Sequence, residues 1–315
     1  MLAFDAGSPT AHSLGVTDIE DDRGRPLRLR IPPRRIVSLV PSDTYSLVRL
    51  GVGDRLVGRT RYCVEPAEAV AGVPILGGTK DPDIAAVLDL SPDLIVMNQE
   101  ENTRRDVERL EAAGARVMVT FPKTLEAGVG VVARFARVLG DAGADVKATI
   151  KRAYEAVRAS RARREGPRVP TFVPIWMDPL MTLNGDTFIS DVLAHAGAEN
   201  VFADRDRKYP LAADLGRARP ASPSEIAGRD VRSPRVTLAE VAERAPELVL
   251  LPDEPHPFTD DDAKVFRGLS MPAAERGRVV ACVGKHLMWP GLMSIEHLDD
   301  VAALVAGATS SLASL

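Results

Sequence analysis

The chain carries one supersecondary unit twice. Residues 83–97 run from Asp83 through a short amphipathic stretch and a Pro92-Asp93 turn into the apolar run Leu94-Ile95-Val96-Met97. Residues 237–251 repeat that order, with Pro246 in the place of Pro92 and Leu248-Val249-Leu250-Leu251 in the place of the apolar run. A helical period, a Pro-acid turn and a short continuous apolar run predict helix, turn and buried strand in both copies. Two such halves in 315 residues constrain the chain to two similar lobes, each large enough to bury its own core. A cleft between lobes is a common seat for a small molecule, so the duplication by itself favours binding.

The remaining pattern predicts α/β lobes with short, mostly parallel sheets flanked by helices. Strands are expected at 35–40, 55–58, 73–76, 94–97 and 116–120, and again at 171–176, 248–251 and 278–283, separated by helical stretches of βαβ length. A helix over 187–196, capped by Asp186 and closed by Gly197, is expected in the second half. From Ala142 to Glu165 runs one long helical pattern with Val146, Ile150, Tyr154 and Val157 as its apolar stripe, stopped by Gly166-Pro167. A rod of that length spans roughly 36 Å, enough to bridge two lobes. The expected organisation is an N-terminal lead-in over 1–33, an N-terminal lobe over 34–141, the linking helix over 142–165 and a C-terminal lobe over 168–307. Within the last, 211–234 is rich in Arg, Ala, Pro and Ser without period and reads as a surface insertion. A helix packed on both lobes resists bending, which predicts a largely preformed cleft.

Composition narrows the partners. A net charge of −4 argues against a general nucleic-acid or anionic-membrane binder, which needs a basic footprint. No stretch approaches the length of a membrane span. Residues 1–30 hold Asp5, Asp18, Glu20, Asp21 and Asp22 with no apolar core, unlike a secretory signal. As it stands the chain is expected in the cytoplasm; a signal upstream of Met1 would make it periplasmic. Cys63 and Cys282 lie in opposite halves without metal-ligand spacing and read as reduced, unpaired thiols.

In parallel sheets, ligands sit beyond the carboxyl ends of the strands. The residues there nominate the site: Ser42, Tyr62, Lys80 and Asn98 from the first half, and Trp176, Lys285, His286 and Trp289 from the second. Flat apolar faces beside a few amide and cationic groups suit a large, flat, polar-rimmed ligand. Trp289 and Trp176 are expected either to face such a ligand or to plug the lobe interface. His286 either coordinates a metal carried in the ligand or packs as an ordinary hydrogen-bonding histidine. Glu100-Glu101 and Asp253-Glu254 read as solvated or capping carboxylates. His286, Glu296 and His297 lack the spacing of a zinc motif, so no metal ligation by protein side chains is expected. No Gly-rich phosphate loop and no Gly-x-Ser-x-Gly elbow is present, and no catalytic residue is nominated.

These residues resemble the helical-backbone metal receptor family, the substrate-binding proteins of ABC importers for cobalamin, haem and iron-siderophores. The matching pieces are Pro33 to Ser42, the Leu90-x-Pro92-Asp93-Leu94-Ile95 element with its second copy, and the long linking helix. The cobalamin-binding branch is nearest, through Gly77-Gly78-Thr79-Lys80-x-Pro82-Asp83, Asn98-x-Glu100-Glu101-Asn102, Val119 to Pro122 and Leu251 to Pro255. The resemblance implies that Tyr62 lies against a corrin ring. Lys80 stands where those receptors place a tryptophan. Family glutamates that dock onto permease arginines correspond to Ala85 and Ala239, with Glu240 adjacent, so permease docking is in doubt. The reading is a non-catalytic, cytoplasmic carrier, scavenger or sensor of cobalamin or a related corrinoid or metal chelate, needing no cofactor of its own. The alternative is a periplasmic importer subunit for cobalamin, haem or iron-siderophore; a third is an enzyme acting on a corrinoid or nucleotide through Ser42, His286 or Glu100.

Overall fold

The computed structural model describes residues 15–140 and 144–307. The first half of the expected lead-in (1–14) and the expected start of the linking helix (142–143) lie outside them.

Two four-stranded parallel sheets dominate. One orders Leu56–Arg59, Ile36–Ser38, Leu94–Asn98 and Val117–Thr120; the other orders Ala198–Asn200, Val169–Phe172, Leu248–Pro252 and Val279–Cys282. In chain order each sheet runs second, first, third, fourth, so the duplication seen in the sequence is a duplication of topology. It extends to the backbone. Among the described residues the non-glycine positions with positive φ are Ser91 (45°) and Ala245 (47°), which occupy equivalent places in the two repeats. Each closes a short helix, Ile84–Asp89 or Leu238–Glu243, capped by Asp83 or Thr237. The left-handed turn then aims Pro-acid-Leu into the buried strand. In both sheets the chain leaves the first strand with a neighbour on either side. That switch point opens a crevice at the carboxyl ends.

The long helix expected between the lobes is present, with one interruption near its end. It is a helix over Ala144–Ala159 followed by a short one over Arg161–Glu165. Ser160 makes the break. Its hydroxyl donates to the Val157 carbonyl at 2.8 Å and pairs with His195 Nδ1 at 2.5 Å, and such back-bonding bends helices. Tyr154 is exposed rather than part of the apolar stripe, and Ala153 takes its place beside Val157.

Other departures have local causes. The expected strand at 73–76 is reduced to an isolated bridge between Arg59 and Ile75. The expected strand at 171–176 ends at Phe172, and Trp176–Met177 instead pairs with Leu180–Met181 in a small hairpin. Thr187, not Asp186, caps the helix Phe188–His195, accepting from Ser190 N. The lead-in is a hairpin, Gly15–Glu20 with Pro26–Ile31. Its turn covers the edge strand Val117–Thr120 through Asp22 N to Val119 O at 3.0 Å and Val119 N to Asp21 Oδ2 at 3.2 Å, closing an edge that would otherwise template aggregation. The stretch 211–234 is not wholly superficial: Asp214 is buried and holds Arg205 at 3.0 Å.

One apolar cluster runs continuously between the lobes. It includes Leu47, Val132 and Phe135 from the first half, Val157 from the connection, and Phe188, Trp289 and Leu292 from the second. Gly291 packs closely against it, beside Val132 and Ser46. Its φ of 102° suits only glycine, and an added Cβ would stand 2.7 Å from Ser46 Oγ. Gly291→Ala is therefore expected to cost about 3 kcal/mol in urea unfolding, combining backbone strain with overpacking. Gly277→Ala, at positive φ but in open space, should lose only about 1 kcal/mol.

Candidate functional site

At the carboxyl ends of both sheets lies a cavity of about 580 Å³, within the usual range of ligand clefts. Residues following the first strand of each sheet, Pro41 and Ser42 on one side and Ile175 on the other, mark the two switch points in its wall. Ser42 sits in the first turn of the helix Pro41–Arg49, where Pro41 is tolerated because no intrahelical partner awaits its nitrogen.

Four of the sequence-nominated residues line this cleft: Ser42, Tyr62, Asn98 and Trp289. Tyr62 is 53% exposed at the mouth and Trp289 only 6% at the floor. Asn98 is buried and shapes the wall. Its Nδ2 donates to Thr120 Oγ1 at 3.1 Å, while its Oδ1 accepts from the backbone of Glu100 (2.8 Å) and Glu101 (3.3 Å). Asn102 pins the same loop through the Leu39 and Thr79 carbonyls.

The other four do not line it. Lys80 donates to the Glu100 carbonyl. Trp176 stands in its hairpin, 43% exposed, with its indole N–H on Asp178 O and its ring 5.3 Å from His256. Lys285 reaches across the lobes to Glu65 at 2.8 Å. His286 stacks on His297 with ring centroids 3.9 Å apart, and burial pushes its pKa down to about 4. The strand-end rule locates a loop but not the direction of each side chain. On the helix Gly284–Met288, successive residues turn by about 100°. Met288 and Trp289 take the cleft, and Lys285 and His286 turn elsewhere.

The sequence reading treats the loop carboxylates as solvated or capping groups and gives Glu100 alone a role, in the enzyme alternative. Glu100, Glu101 and Glu254 all line the cleft. Burial raises the pKa of each, to about 7 for Glu254. Glu254 accepts the Trp289 indole N–H at 2.5 Å. Its loop packs so closely on Gly284 that a Cβ there would lie 2.6 Å from Glu254 Cγ. Arg61, the cationic residue of the lining, is held by Asp81 at 2.7 Å. Arg232, from the supposed insertion, crosses the mouth to pair with Glu100 and lies 4.9 Å over the Phe121 ring. Lys123 and Asp186 add another pair across the lobes at 2.6 Å. The arrangement is an aromatic and aliphatic floor under a rim of hydrogen-bond acceptors, with its cations already engaged.

The family model described as "Periplasmic binding protein" matches residues 36–251. The vitamin B12-binding protein of Photorhabdus laumondii is 25% identical over 178 residues, 56% of this chain. The match takes in 64% of that protein, so the chain spans less than two thirds of the length of the curated relatives it matches first. Among solved structures, the periplasmic vitamin B12 binding protein BtuF of Vibrio cholerae superposes with a TM-score of 0.70 at 19% identity, covering 88% of this chain and 98% of that one. The periplasmic heme-binding protein RhuT of Roseiflexus sp. RS-1 gives 0.68 at 19% identity, covering 87% and 98%. At such identities these structures speak for the fold.

Proposed function

We propose a function from one premise: this chain belongs to the periplasmic binding protein family. Its cleft holds cobalamin or a related corrinoid, without transforming it, as the substrate-binding subunit of an ABC-type importer. The relatives bind vitamin B12 or heme, and the observation that chooses between the two is the acceptor rim. A corrin carries neutral primary amides around its edge, which donate hydrogen bonds. Haem carries propionates, which would lie against the carboxyl groups of Glu100, Glu101 and Glu254 with no unpaired cation among the described residues of the lining to receive them. A cleft lined by these carboxylates, with Arg61 and Arg232 tied to carboxylates of their own, favours the amide-edged ring and rejects the anionic one. Tyr62 and Trp289 supply flat apolar faces at mouth and floor. The cobalamin, on this reading, is cargo and not a cofactor.

Native mass spectrometry of protein isolated from cells grown with a corrinoid tests the reading. A mass increment equal to one corrinoid is expected. A haem increment from the same cells, with no corrinoid, overturns the choice of ligand.

A second reading, the cytoplasmic carrier that engages no permease, is favoured by one observation. The helices Ile84–Asp89 and Leu238–Glu243 present Ala85 and Ala239 to solvent, and the adjacent Glu240 is held by Arg205 at 3.0 Å. Alanines thus stand at the two positions where the resemblance places docking glutamates. Among the described residues no helix is long and apolar enough to cross a membrane. Cell fractionation separates the two readings, since import requires the protein outside the cytoplasmic membrane.

A further inference from the structure

Behind the cleft, on the outer side of the helix Gly284–Met288, three side chains converge, two of them three residues apart at the start of one helix and the third from a different helix. His286 comes from that helix. His297 lies at the junction between the helices Leu292–Glu296 and Leu298–Ala306, and Asp300 in the first turn of the latter. Each offers a nitrogen or oxygen atom within 4.8 Å of the other two. The two imidazoles lie parallel, with centroids 3.9 Å apart and planes within 2°. His297 Nδ1 is 2.7 Å from Asp300 Oδ2. None of the three lines the cleft.

We propose that His286, His297 and Asp300 form a binding site for one late first-row divalent cation, zinc(II) or a neighbour such as cobalt(II) or nickel(II), distinct from the ligand cleft. Two imidazoles and one carboxylate are a donor set suited to these ions, whereas calcium and magnesium demand oxygen-rich shells. Three protein ligands leave further positions for water, which the partial exposure of His297 and Asp300 supplies.

The other histidines of the described residues are engaged elsewhere, His195 with Ser160 and His256 in an aromatic cluster with Trp176 and Phe258. Both cysteines are buried, one in each lobe. The trio therefore has no competitor of comparable donor set among those residues. Its position gives it leverage. Glu296, the neighbour of His297, holds Tyr45 at 2.7 Å and Arg49 at 2.9 Å across the lobe interface. His286 is two residues from Met288, which lines the cleft. A bound ion would tie the helix that carries the cleft floor to the helix that anchors the interface.

The test uses full-length protein without an affinity tag, stripped with a chelator and titrated with zinc(II) by calorimetry and with cobalt(II) by its visible d–d absorption. One ion per chain is expected, together with a rise in Tm. His286→Gln and His297→Gln should each weaken binding about tenfold or more and abolish the Tm rise. Asp300→Asn, at an exposed position, serves as a variant that keeps the fold and should weaken binding as well. Metal-free circular dichroism and Tm establish that each variant is folded. Absence of binding to the parent protein at millimolar ion, or one-to-one binding unchanged in all three folded variants, overturns the site. Either outcome leaves the cleft reading untouched, because corrinoid titration is read separately.

Discussion

Trp289→Ala is expected to abolish high-affinity corrinoid binding and to cost about 3–5 kcal/mol of stability, the range for emptying a large buried aromatic site. Trp289 serves two structures at once. It belongs to the apolar cluster that runs between the lobes, and its ring closes the floor of the cleft. Removing it opens a cavity beneath the ligand and leaves the Glu254 carboxyl without its indole donor. A buried acceptor without a partner adds its own desolvation penalty. A floor aromatic in a water-excluded position behaves as a binding hot spot, so the affinity loss should reach about 2 kcal/mol or more, some thirtyfold. Trp289→Phe separates the contributions. It keeps a flat apolar face but drops the N–H. It should retain most of the binding while losing about 1–3 kcal/mol of stability from the orphaned carboxyl. Urea unfolding and ligand titration of both variants check this. Equal affinity in Trp289→Ala and the parent protein would remove Trp289 from the site.

Glu254→Gln is expected to stabilise the protein in alkaline solution and to change nothing in acid. In the fold, burial holds the Glu254 proton up to about pH 7, whereas an unfolded chain releases it near 4.3. Between those values the unfolded state binds fewer protons than the native one, so stability falls as pH rises. The contribution is fully present below about pH 4 and gone above about pH 7. The full difference amounts to about 3 kcal/mol. Asp43 acts in the same direction, being buried, held by Thr120 at 2.8 Å and raised to about 7. His286 acts oppositely. Its depressed pKa means that the unfolded state binds the extra proton, and stability is lost as pH falls from about 6.5 toward 4. The profile of the whole protein is therefore shallow, and only the difference between parent and variant isolates Glu254. That difference should grow from near zero at about pH 4 to about 3 kcal/mol at pH 8, with the glutamine amide oxygen still accepting from Trp289. A uniform loss at every pH would mean instead that the ionised carboxylate stabilises the fold.

The two-lobed fold was legible because the duplicated unit is punctuated by residues with strong local preferences. Pro92 and Pro246 end a helix pattern, and the apolar runs behind them have no surface-compatible period. The left-handed turns at Ser91 and Ala245 were not legible, since neither residue advertises positive φ. The break at Ser160 was hidden for a similar reason. The Ser160 hydroxyl bonds back to the Val157 carbonyl and is held there by His195, a residue of the second lobe that no local pattern connects to it. In the cleft, the rule of strand ends located the loops but not which way their side chains turn. It reached Ser42, Tyr62, Asn98 and Trp289, and it also nominated Lys80, Trp176, Lys285 and His286, which do not line the cleft. Glu100 and Glu101 are exposed, as a surface reading expects, and Glu254 is half-buried; what local pattern could not show is that the cleft gathers all three. Arg232 escaped notice within an irregular stretch whose far end crosses the mouth. The resemblance to cobalamin receptors set Tyr62 against a corrin ring, and its motifs included Glu100, Glu101 and Glu254 without giving them a role in binding.

Calorimetric titration of the purified protein with cyanocobalamin, run beside haem under the same conditions, tests the proposed cargo most directly. One-to-one binding of the corrinoid at micromolar affinity or tighter, with haem weaker and Trp289→Ala silent, is the predicted result. No heat and no spectral change with cyanocobalamin at high micromolar concentration would contradict it.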